Sequence, residues 1–295
     1  MSIVKSFSVG VGDMFYIRHY TDNFTIIDCC INDANKQPIL DEISRASSNK
    51  GIFRFISTHP DQDHFSGLTD LDKNKNICNF YCVANQVTKF PETEDFKKYK
   101  YLRDSEKAFY LTKGCSRTWL NEGNSERGSS GINILWPDTN NKDFKEALLA
   151  AQTGSSPNNI SPIIRYSIQD GPSYLWMGDL ETDFMKKIEG EVHLEPVEVL
   201  FAPHHGRKSG RVPTNWLQQL KPKVIVIGEA DCTDLCYYQN YNTIKQNSAG
   251  HIEFHNHDNQ IDVFVENHSY TEDFLQRLGN YPSSQLYYIG TIKIK

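Results

Sequence analysis

Short runs of β-branched and aromatic residues alternate with polar turns through the first sixty positions, a pattern typical of strands. The predicted strands of this part cover residues 3–9, 14–18, 24–28 and 52–57. Between residues 38 and 47 the apolar positions follow helical spacing, which predicts a helix. The last of the four strands ends just before His59, so it places a polar segment at the end of a rigid element.

The same alternation returns after residue 131, with predicted helices between the strands. The predicted strands cover 132–136, 163–168, 174–177, 197–202, 223–227, 251–254, 261–266 and 286–294, and the predicted helices cover 180–188, 214–220 and 272–278. Many short strands with interspersed helices favour an α/β fold in which a two-sheet core carries outer helices.

The stretch between these two parts, from about residue 72 to 131, is polar and weakly periodic, and it predicts an insert of helices and loops over the core. The sequence contains no internal repeat and no linker that would separate two domains. It therefore predicts one domain over residues 1–295, with that insert and with a C-terminal extension over about 267–295.

Composition narrows the function classes. The formal net charge is −6 and the pI is about 5.9, so the chain lacks a broad basic surface for nucleic acid. The sequence has neither the apolar run of a signal peptide nor the roughly 18 apolar residues that a membrane helix needs. These features predict a soluble, cytoplasmic protein without a membrane partner, and they do not specify a protein partner.

A dense group of metal-ligating side chains follows the strand over 52–57. His59, Asp61, Asp63 and His64 fall within six residues, and Gly67 follows them. Imidazole nitrogen and carboxylate oxygen are preferred ligands of zinc, manganese and iron. We therefore predict a divalent-metal site here; the alternative is a polar turn at the surface.

Two later strand ends carry further candidate residues. Asp179 follows Gly178 where a strand gives way to a helix, which can aim a carboxylate between two cations; the alternative is a helix N-cap. His204 and His205 follow the strand over 197–202, and one of them can bind metal while the other donates a proton or orients substrate.

A basic loop follows the paired histidines. It contains Arg207, Lys208 and Arg211 between glycine and serine residues, which suits an anionic group such as phosphate. The alternative is a basic loop that is simply solvated.

The order of these motifs resembles the metallo-β-lactamase superfamily, and most closely the branch of the hydrolase domain of ComEC-type competence proteins and the phosphorylcholine esterases. The matching elements are Val9-Gly10-Val11-Gly12-Asp13, Asp28, His59-x-Asp61-x-Asp63-His64, Asn158-Asn159-Ile160-Ser161, Gly178-Asp179 and His204-His205-Gly206. The resemblance covers about residues 5–265.

The resemblance implies an αββα sandwich of two mixed sheets with a two-metal cleft at one edge. The implied ligands are His59 and Asp61 for one metal and Asp63 and His64 for the other, with Asp179 bridging and one of His204 and His205 completing the second site. Of the two histidines, His205 is expected to be the ligand and His204 to be catalytic. Asp28 is expected to steady the histidine loop by hydrogen bonding.

Two departures from the family pattern affect the expected metal. Asp61 replaces the usual middle histidine, and no histidine lies between His64 and His193, so the separate third-motif histidine is missing. Asn159 or Ser161 would fill that space. An oxygen-rich site accommodates manganese or magnesium as well as zinc, with one or two ions bound.

The predicted function is hydrolysis of a phosphodiester in a nucleotide or nucleic acid by water that a divalent metal activates. Asp63 would orient or deprotonate the water, the free histidine of the pair would protonate the leaving group, and Lys208 or Arg207 would neutralise a phosphate oxygen. The alternatives are hydrolysis of a small non-nucleotide ester, lactone or thioester, and a degenerate, non-catalytic binding protein.

Overall fold

The computed structural model describes residues 1–279 and 285–294. Its strands are β1 (Ser2–Ser6), β2 (Phe15–Arg18), β3 (Asn23–Ile27), β4 (Cys29–Cys30), β5 (Ile52–Ile56), β6 (Phe80–Cys82), β7 (Ala108–Tyr110), β8 (Ile132–Trp136), β9 (Ile163–Ser167), β10 (Ser173–Trp176), β11 (Val199–Phe201), β12 (Val224–Ile227), β13 (Thr243–Lys245), β14 (Ile252–Asn256), β15 (Gln260–Val265) and β16 (Tyr287–Lys293). Its helices are α1 (Lys36–Ala46), α2 (Gln62–Phe65), α3 (Leu68–Lys75), α4 (Glu94–Arg103), α5 (Lys142–Gln152), α6 (Thr182–Lys187), α7 (Thr214–Leu220) and α8 (Gln246–Ala249).

These strands form two mixed sheets. Within the described residues, one sheet has nine strands in the order β16-β15-β14-β1-β2-β3-β5-β6-β7, and the other has six in the order β13-β12-β11-β10-β9-β8. In the first, β3, β5, β6 and β7 run parallel to one another. In the second, β10 to β13 are parallel. Each sheet therefore has one edge where the carboxyl ends of several parallel strands lie side by side.

The two sheets pack face to face through aromatic side chains. The ring of Phe15 on β2 lies 4.9 Å from that of Phe201 on β11 and 6.0 Å from that of Trp176 on β10. Tyr174 and Phe254 make a similar contact at 5.9 Å. Edge-to-face pairs of this kind stabilise a core beyond the apolar area that they bury.

Helices cover the outer faces. Phe80 on β6 packs against Tyr99 on α4 at 5.5 Å, on the outer side of the nine-stranded sheet. Trp136 on β8 packs against Phe144 on α5 and Phe184 on α6, on the outer side of the other sheet. The layer order is helix, sheet, sheet, helix, so the predicted αββα sandwich of two mixed sheets with outer helices is confirmed.

Several parts of the chain differ from the prediction. The segment from about 72 to 131 was expected to contain helices and loops, but it also supplies β6 and β7 to the nine-stranded sheet. Strand β13 and helix α8 were not predicted. Helix α5 was not predicted, although Asn141 caps it by accepting the Phe144 N–H. The predicted helix over 272–278 is wrong, because Gln276 exchanges both backbone hydrogen bonds with Thr291 at the edge of β16.

Among the described residues we find no helix that combines the length and apolar character needed to cross a membrane. The single domain over 1–295, and the bounds of the insert and of the C-terminal extension, stay predictions.

Candidate metal centre

Four loops converge where the parallel strands of both sheets end, the edge at which α/β sheets commonly bind ligands. Asp28 follows β3, the His59 segment follows β5, Asp179 follows β10, and His205 follows β11. Gly178 allows these loops to lie close together. Its φ is +50°, which favours glycine, and a Cβ there would lie 2.7 Å from Ser161 Oγ and 2.9 Å from Thr58 Cβ.

Asp179 lies at the centre of the group. Its Oδ1 is 3.3 Å from His64 Nε2, and its Oδ2 is 3.4 Å from His205 Nε2. The Nε2 atoms of His59 and His204 each lie 3.8 Å from the same Oδ2. One buried carboxylate thus faces four imidazoles, and its predicted role as a bridging ligand stays a prediction.

Asp28 holds the histidine loop from behind. Its carboxylate accepts hydrogen bonds from the Thr58 backbone N–H at 2.7 Å and the Thr58 hydroxyl at 2.6 Å. Its Oδ2 also lies 2.8 Å from His64 Nδ1. This contact fixes the imidazole with Nε2 toward Asp179, as partners behind a metal-binding histidine commonly do.

Ser161 supports the second histidine of the loop. Its hydroxyl oxygen lies 3.2 Å from His59 Nδ1 and accepts the Asp179 backbone N–H at 3.2 Å. The serine thereby links the two sheets at the site and leaves His59 Nε2 directed at Asp179.

Asp13 and Asp63 both contact His205, one at each nitrogen of its ring. Asp13 Oδ1 lies 3.1 Å from His205 Nδ1, and Asp63 Oδ2 lies 3.2 Å from His205 Nε2. The backbone N–H of Asp13 donates to the Asp63 carbonyl at 3.2 Å. Gly12 permits this contact, because its φ is +149° and a Cβ there would lie 2.8 Å from that carbonyl oxygen.

The paired histidines have an unusual backbone. His204 and His205 have φ of +55° and +54°, a left-handed conformation that costs free energy in non-glycine residues. Such conformations concentrate at functional sites. Here the conformation places both imidazoles within 3.8 Å of Asp179.

The carboxylates of the cluster raise the pKa values of two neighbouring imidazoles. Burial opposes a charge on His64, but Asp179 and Asp28 outweigh it and hold the pKa of this imidazole well above its usual range. Burial also opposes a charge on His205, and Asp13 and Asp179 raise its pKa to about 10. Because metal-binding imidazoles are neutral and metal-binding carboxylates ionised, a divalent cation would replace these protons.

The other two imidazoles are neutral at pH 7. Burial, with the nearby His64, lowers the pKa of His59 to about 3. Burial is also the largest cause that lowers the pKa of His204. Each therefore offers a free lone pair to a metal or a proton.

The donor atoms fit a divalent metal. Asp13, His64, Asp179 and His205 each offer one ligand atom, and the four atoms lie within 4.8 Å of one another. His59 Nε2, His64 Nε2 and Asp179 Oδ1 are buried without a hydrogen-bond partner among the described residues. Buried polar atoms are normally paired, and a buried carboxylate oxygen that faces imidazole nitrogens at these distances fits a divalent cation.

Several predicted residues lie outside this cluster. Asp61 accepts the Gln62 N–H as a helix cap and binds Lys89 Nζ at 2.7 Å. The Asn159 side-chain amide bonds to Glu181 at 2.8 Å, and Lys208 Nζ donates to the Thr233 carbonyl at 2.7 Å. The predicted roles of these residues, and that of Arg207, stay predictions.

The sequence motifs did not indicate that Asp13 contacts the cluster. Its glycine-flanked loop was recognised, but the loop gave no indication that the carboxylate reaches His205. Lys89 was missed for the same reason, since only the fold brings it to Asp61.

The comparisons with known proteins add little to this geometry. No protein-family model matches the sequence, and no curated protein matches it. Among solved structures, the chain is similar to the metallo-β-lactamase fold protein YhfI from Bacillus subtilis, with a TM-score of 0.43 and 8% identity. The similarity covers 83% of this chain and 95% of that protein. A similarity this low says nothing about the function of the chain. Its membership of the competence-protein branch stays a prediction.

Proposed function

We propose that this chain is a metal-dependent hydrolase that cleaves a phosphodiester bond in a nucleotide or nucleic acid. The observation that carries the proposal is the convergence of Asp13, His64, Asp179 and His205 at the shared edge of the two sheets. Mixed nitrogen and oxygen donors suit zinc or manganese, and magnesium where oxygen ligands dominate.

These four residues would hold one divalent ion. His59 Nε2, close to Asp179 Oδ2, and Asp63, close to His205 Nε2, offer donors for a second ion. When bound, the metal supplies Lewis-acid activation of water and stabilises charge on the phosphoryl oxygens.

Two residues at the site would act on the water and on the leaving group. The Asp63 side chain is 32% exposed, more than the other cluster carboxylates. His205 and His64 outweigh burial and lower the Asp63 pKa, so this carboxylate stays ionised and can orient a water that enters from solvent. His204 is partly exposed, and its Nδ1 lies 2.9 Å from Ser209 Oγ. Since it is neutral at pH 7, it can accept a proton at Nε2 and pass it to the leaving oxygen.

Positive charge beside the cluster favours an anionic substrate. The charge of Arg207 acts on His204 at one side of the cluster, whereas Lys89 on the other side is paired with Asp61 and becomes available only if a substrate displaces that carboxylate. A polymer would need more phosphate contacts than these two cations supply, and the net charge of −6 repels it. A small nucleotide therefore fits better than long DNA or RNA.

A metal-by-substrate screen tests the proposal. Zinc, manganese and magnesium would be assayed against bis(p-nitrophenyl) phosphate, cyclic nucleotides, DNA and RNA, with a lactone and a thioester as non-phosphate substrates. We expect metal-dependent phosphodiester turnover that is lost in Asp63→Ala and retained in Asp183→Asn, a carboxylate 91% exposed on α6.

Each other outcome has a definite meaning. Turnover of only the lactone or thioester contradicts the phosphodiester assignment and leaves a metal hydrolase. Absence of any bound or rebindable metal contradicts the enzyme and favours a binding protein. A steep loss of activity between low and moderate salt identifies a polymeric substrate, because counterion release scales with the number of phosphate contacts.

A further inference from the structure

A cavity lies beside β5 and β6, away from the metal centre. It has a volume of about 310 Å³, and its wall includes Arg54, Tyr81, Arg117 and Trp119. Arg54 precedes His59 by five residues of largely extended chain, which separates the two sites by roughly 15 Å. No acidic residue lines this cavity, whose lining lies wholly in the described part of the chain.

Arg54 is a buried cation that makes no ion pair with any acidic residue the structure describes. It is 1% exposed, and its guanidinium donates to Thr25 Oγ1 at 3.1 Å, Asn23 Oδ1 at 3.2 Å and the Trp119 carbonyl at 2.9 Å. All three acceptors are neutral, and Arg54 Nε is buried without a partner among the residues described. Buried charges are normally neutralised by an opposite charge, and none of the described residues supplies one here.

Arg117 adds a second positive charge to the same wall. Its guanidinium lies 4.6 Å from the ring centre of Phe109 and 5.6 Å from that of Tyr81, while Arg54 lies 5.2 Å from the Tyr81 ring. In the part of the chain that the structure describes, this guanidinium makes no hydrogen bond or ion pair. Stacking on the rings fixes its plane and leaves its N–H groups available.

We propose that this cavity binds a small oxyanion, a phosphate group that is either free or carried by a small molecule. Arg54 and Arg117 carry like charges on the wall of one cavity, and an anion bound between them would relieve their repulsion. Their planar donors match the geometry of phosphate oxygens. The buried indole N–H of Trp119 is a further donor without a partner in the described structure. The site is independent of the metal centre and of the hydrolase proposal.

Calorimetric titration with inorganic phosphate at constant ionic strength tests the site. We expect saturable binding by the metal-loaded protein and an unchanged Kd in Asp179→Asn, which alters only the metal centre. Arg117→Gln should raise the Kd at least tenfold, and Arg117→Lys less, because lysine keeps the charge without the fork. Arg45→Gln, on the exposed side of α1, should leave the Kd unchanged.

A local readout guards against phosphate that binds elsewhere. Phosphate should slow the modification of Arg117 by phenylglyoxal several-fold, as measured by peptide mass spectrometry, and leave Arg45 unprotected. Glycerol phosphate in place of inorganic phosphate distinguishes an organic phosphate ligand from the free ion. The proposal is overturned if no saturable binding occurs, if Arg117→Gln binds with the wild-type Kd, or if Asp179→Asn alone abolishes binding.

Discussion

Two clusters of buried polar residues lie along the same pair of parallel strands, β3 and β5, and they differ in the chemistry of their unpartnered atoms. In the carboxyl-end group, beyond the ends of the strands, the unpartnered atoms of the described structure include His59 Nε2, His64 Nε2 and Asp179 Oδ1. In the amino-end group, around Arg54, they include Arg54 Nε and Trp119 Nε1, which are donors. The first group suits a cation, and the second suits an anion.

The difference shows why burial of polar residues alone does not identify a site. Asn23, Thr25 and Arg54 are as deeply buried as His59 and His64, yet Arg54 bonds to both of the others and ties β5 to β3. At the other end, Asp28 bonds to Thr58 and His64 but leaves the Nε2 side of the imidazole open. Function follows from the atoms that remain unpaired and from their chemical type.

The substitution Asp179→Asn should break the carboxyl-end group most completely. It removes the negative charge that faces four imidazoles, so we expect kcat to fall by roughly 100- to 1000-fold and bound metal to be lost. The measurements are turnover of bis(p-nitrophenyl) phosphate and metal content by mass spectrometry. Asp183→Asn is the matched control, and full metal content in Asp179→Asn would contradict the assignment.

Asp28→Asn should weaken the metal site without removing a ligand. The amide keeps the size of the side chain but loses the charge that orients His64, so we expect metal affinity to fall about 10- to 100-fold. Competition with a chelator measures this. Asp22→Asn, which lies beside the amino end of β3 and pairs with Arg127, should leave the affinity unchanged. An equal loss in both variants would indicate general destabilisation.

The substitution Arg54→Met tests the amino-end group around Arg54. Loss of the guanidinium leaves Thr25, Asn23 and the Trp119 carbonyl without their donor, so we expect the free energy of unfolding to fall by about 2 kcal/mol. Urea denaturation measures the change. Metal content should stay at the wild-type level, and its loss would show that the two groups are not independent.

The part of the site that could be predicted from the sequence lies directly at strand ends. His59, His64, Asp179 and His205 each follow a short apolar run, so local pattern was enough to indicate them. Asp13 could not be assigned in this way, because its distance to His205 depends on how the two sheets pack.

Neighbouring residues in one motif also proved to have different surroundings. Asp61 and Asp63 are two positions apart, but Asp61 caps α2 and pairs with Lys89, whereas Asp63 faces His205. An aspartate before a helix is a recognised cap signal. Sequence alone does not decide between the cap and the ligand, since the lysine comes from a distant loop.

The fold was predictable where the apolar pattern is strong and failed where tertiary pairing decides. The spacing of strands and helices predicts a two-sheet core with outer helices, and the αββα order of the layers was implied by the family resemblance. The segment 272–278 has helical spacing, but the backbone hydrogen bonds of Gln276 are satisfied by Thr291, so the sheet edge outweighs the local preference. Helix α5 could have been found, because Asn141 followed by Phe144 and Ala151 is a cap with helical spacing.

The pH dependence of stability provides the smallest test of the amino-end group. His19 lies beside it, with Nε2 2.9 Å from Thr25 Oγ1, and burial, together with Arg54 and Lys50, holds its pKa well below the usual range. The unfolded chain therefore binds a proton near pH 6.5 that the folded chain does not. Stability contributed by neutral His19 is present above that pH and is lost as the pH falls toward the folded-state pKa.

We expect this loss to reach at most about 1.4 kcal/mol per pH unit below 6.5. Urea denaturation of wild type and His19→Gln between pH 7 and pH 5 measures it, and the variant should show a shallower decline. His193→Gln, an exposed histidine, should keep the wild-type slope. Equal slopes in wild type and His19→Gln would mean that His19 is protonated within the fold, and the amino-end group would then carry one more uncompensated cation beside Arg54.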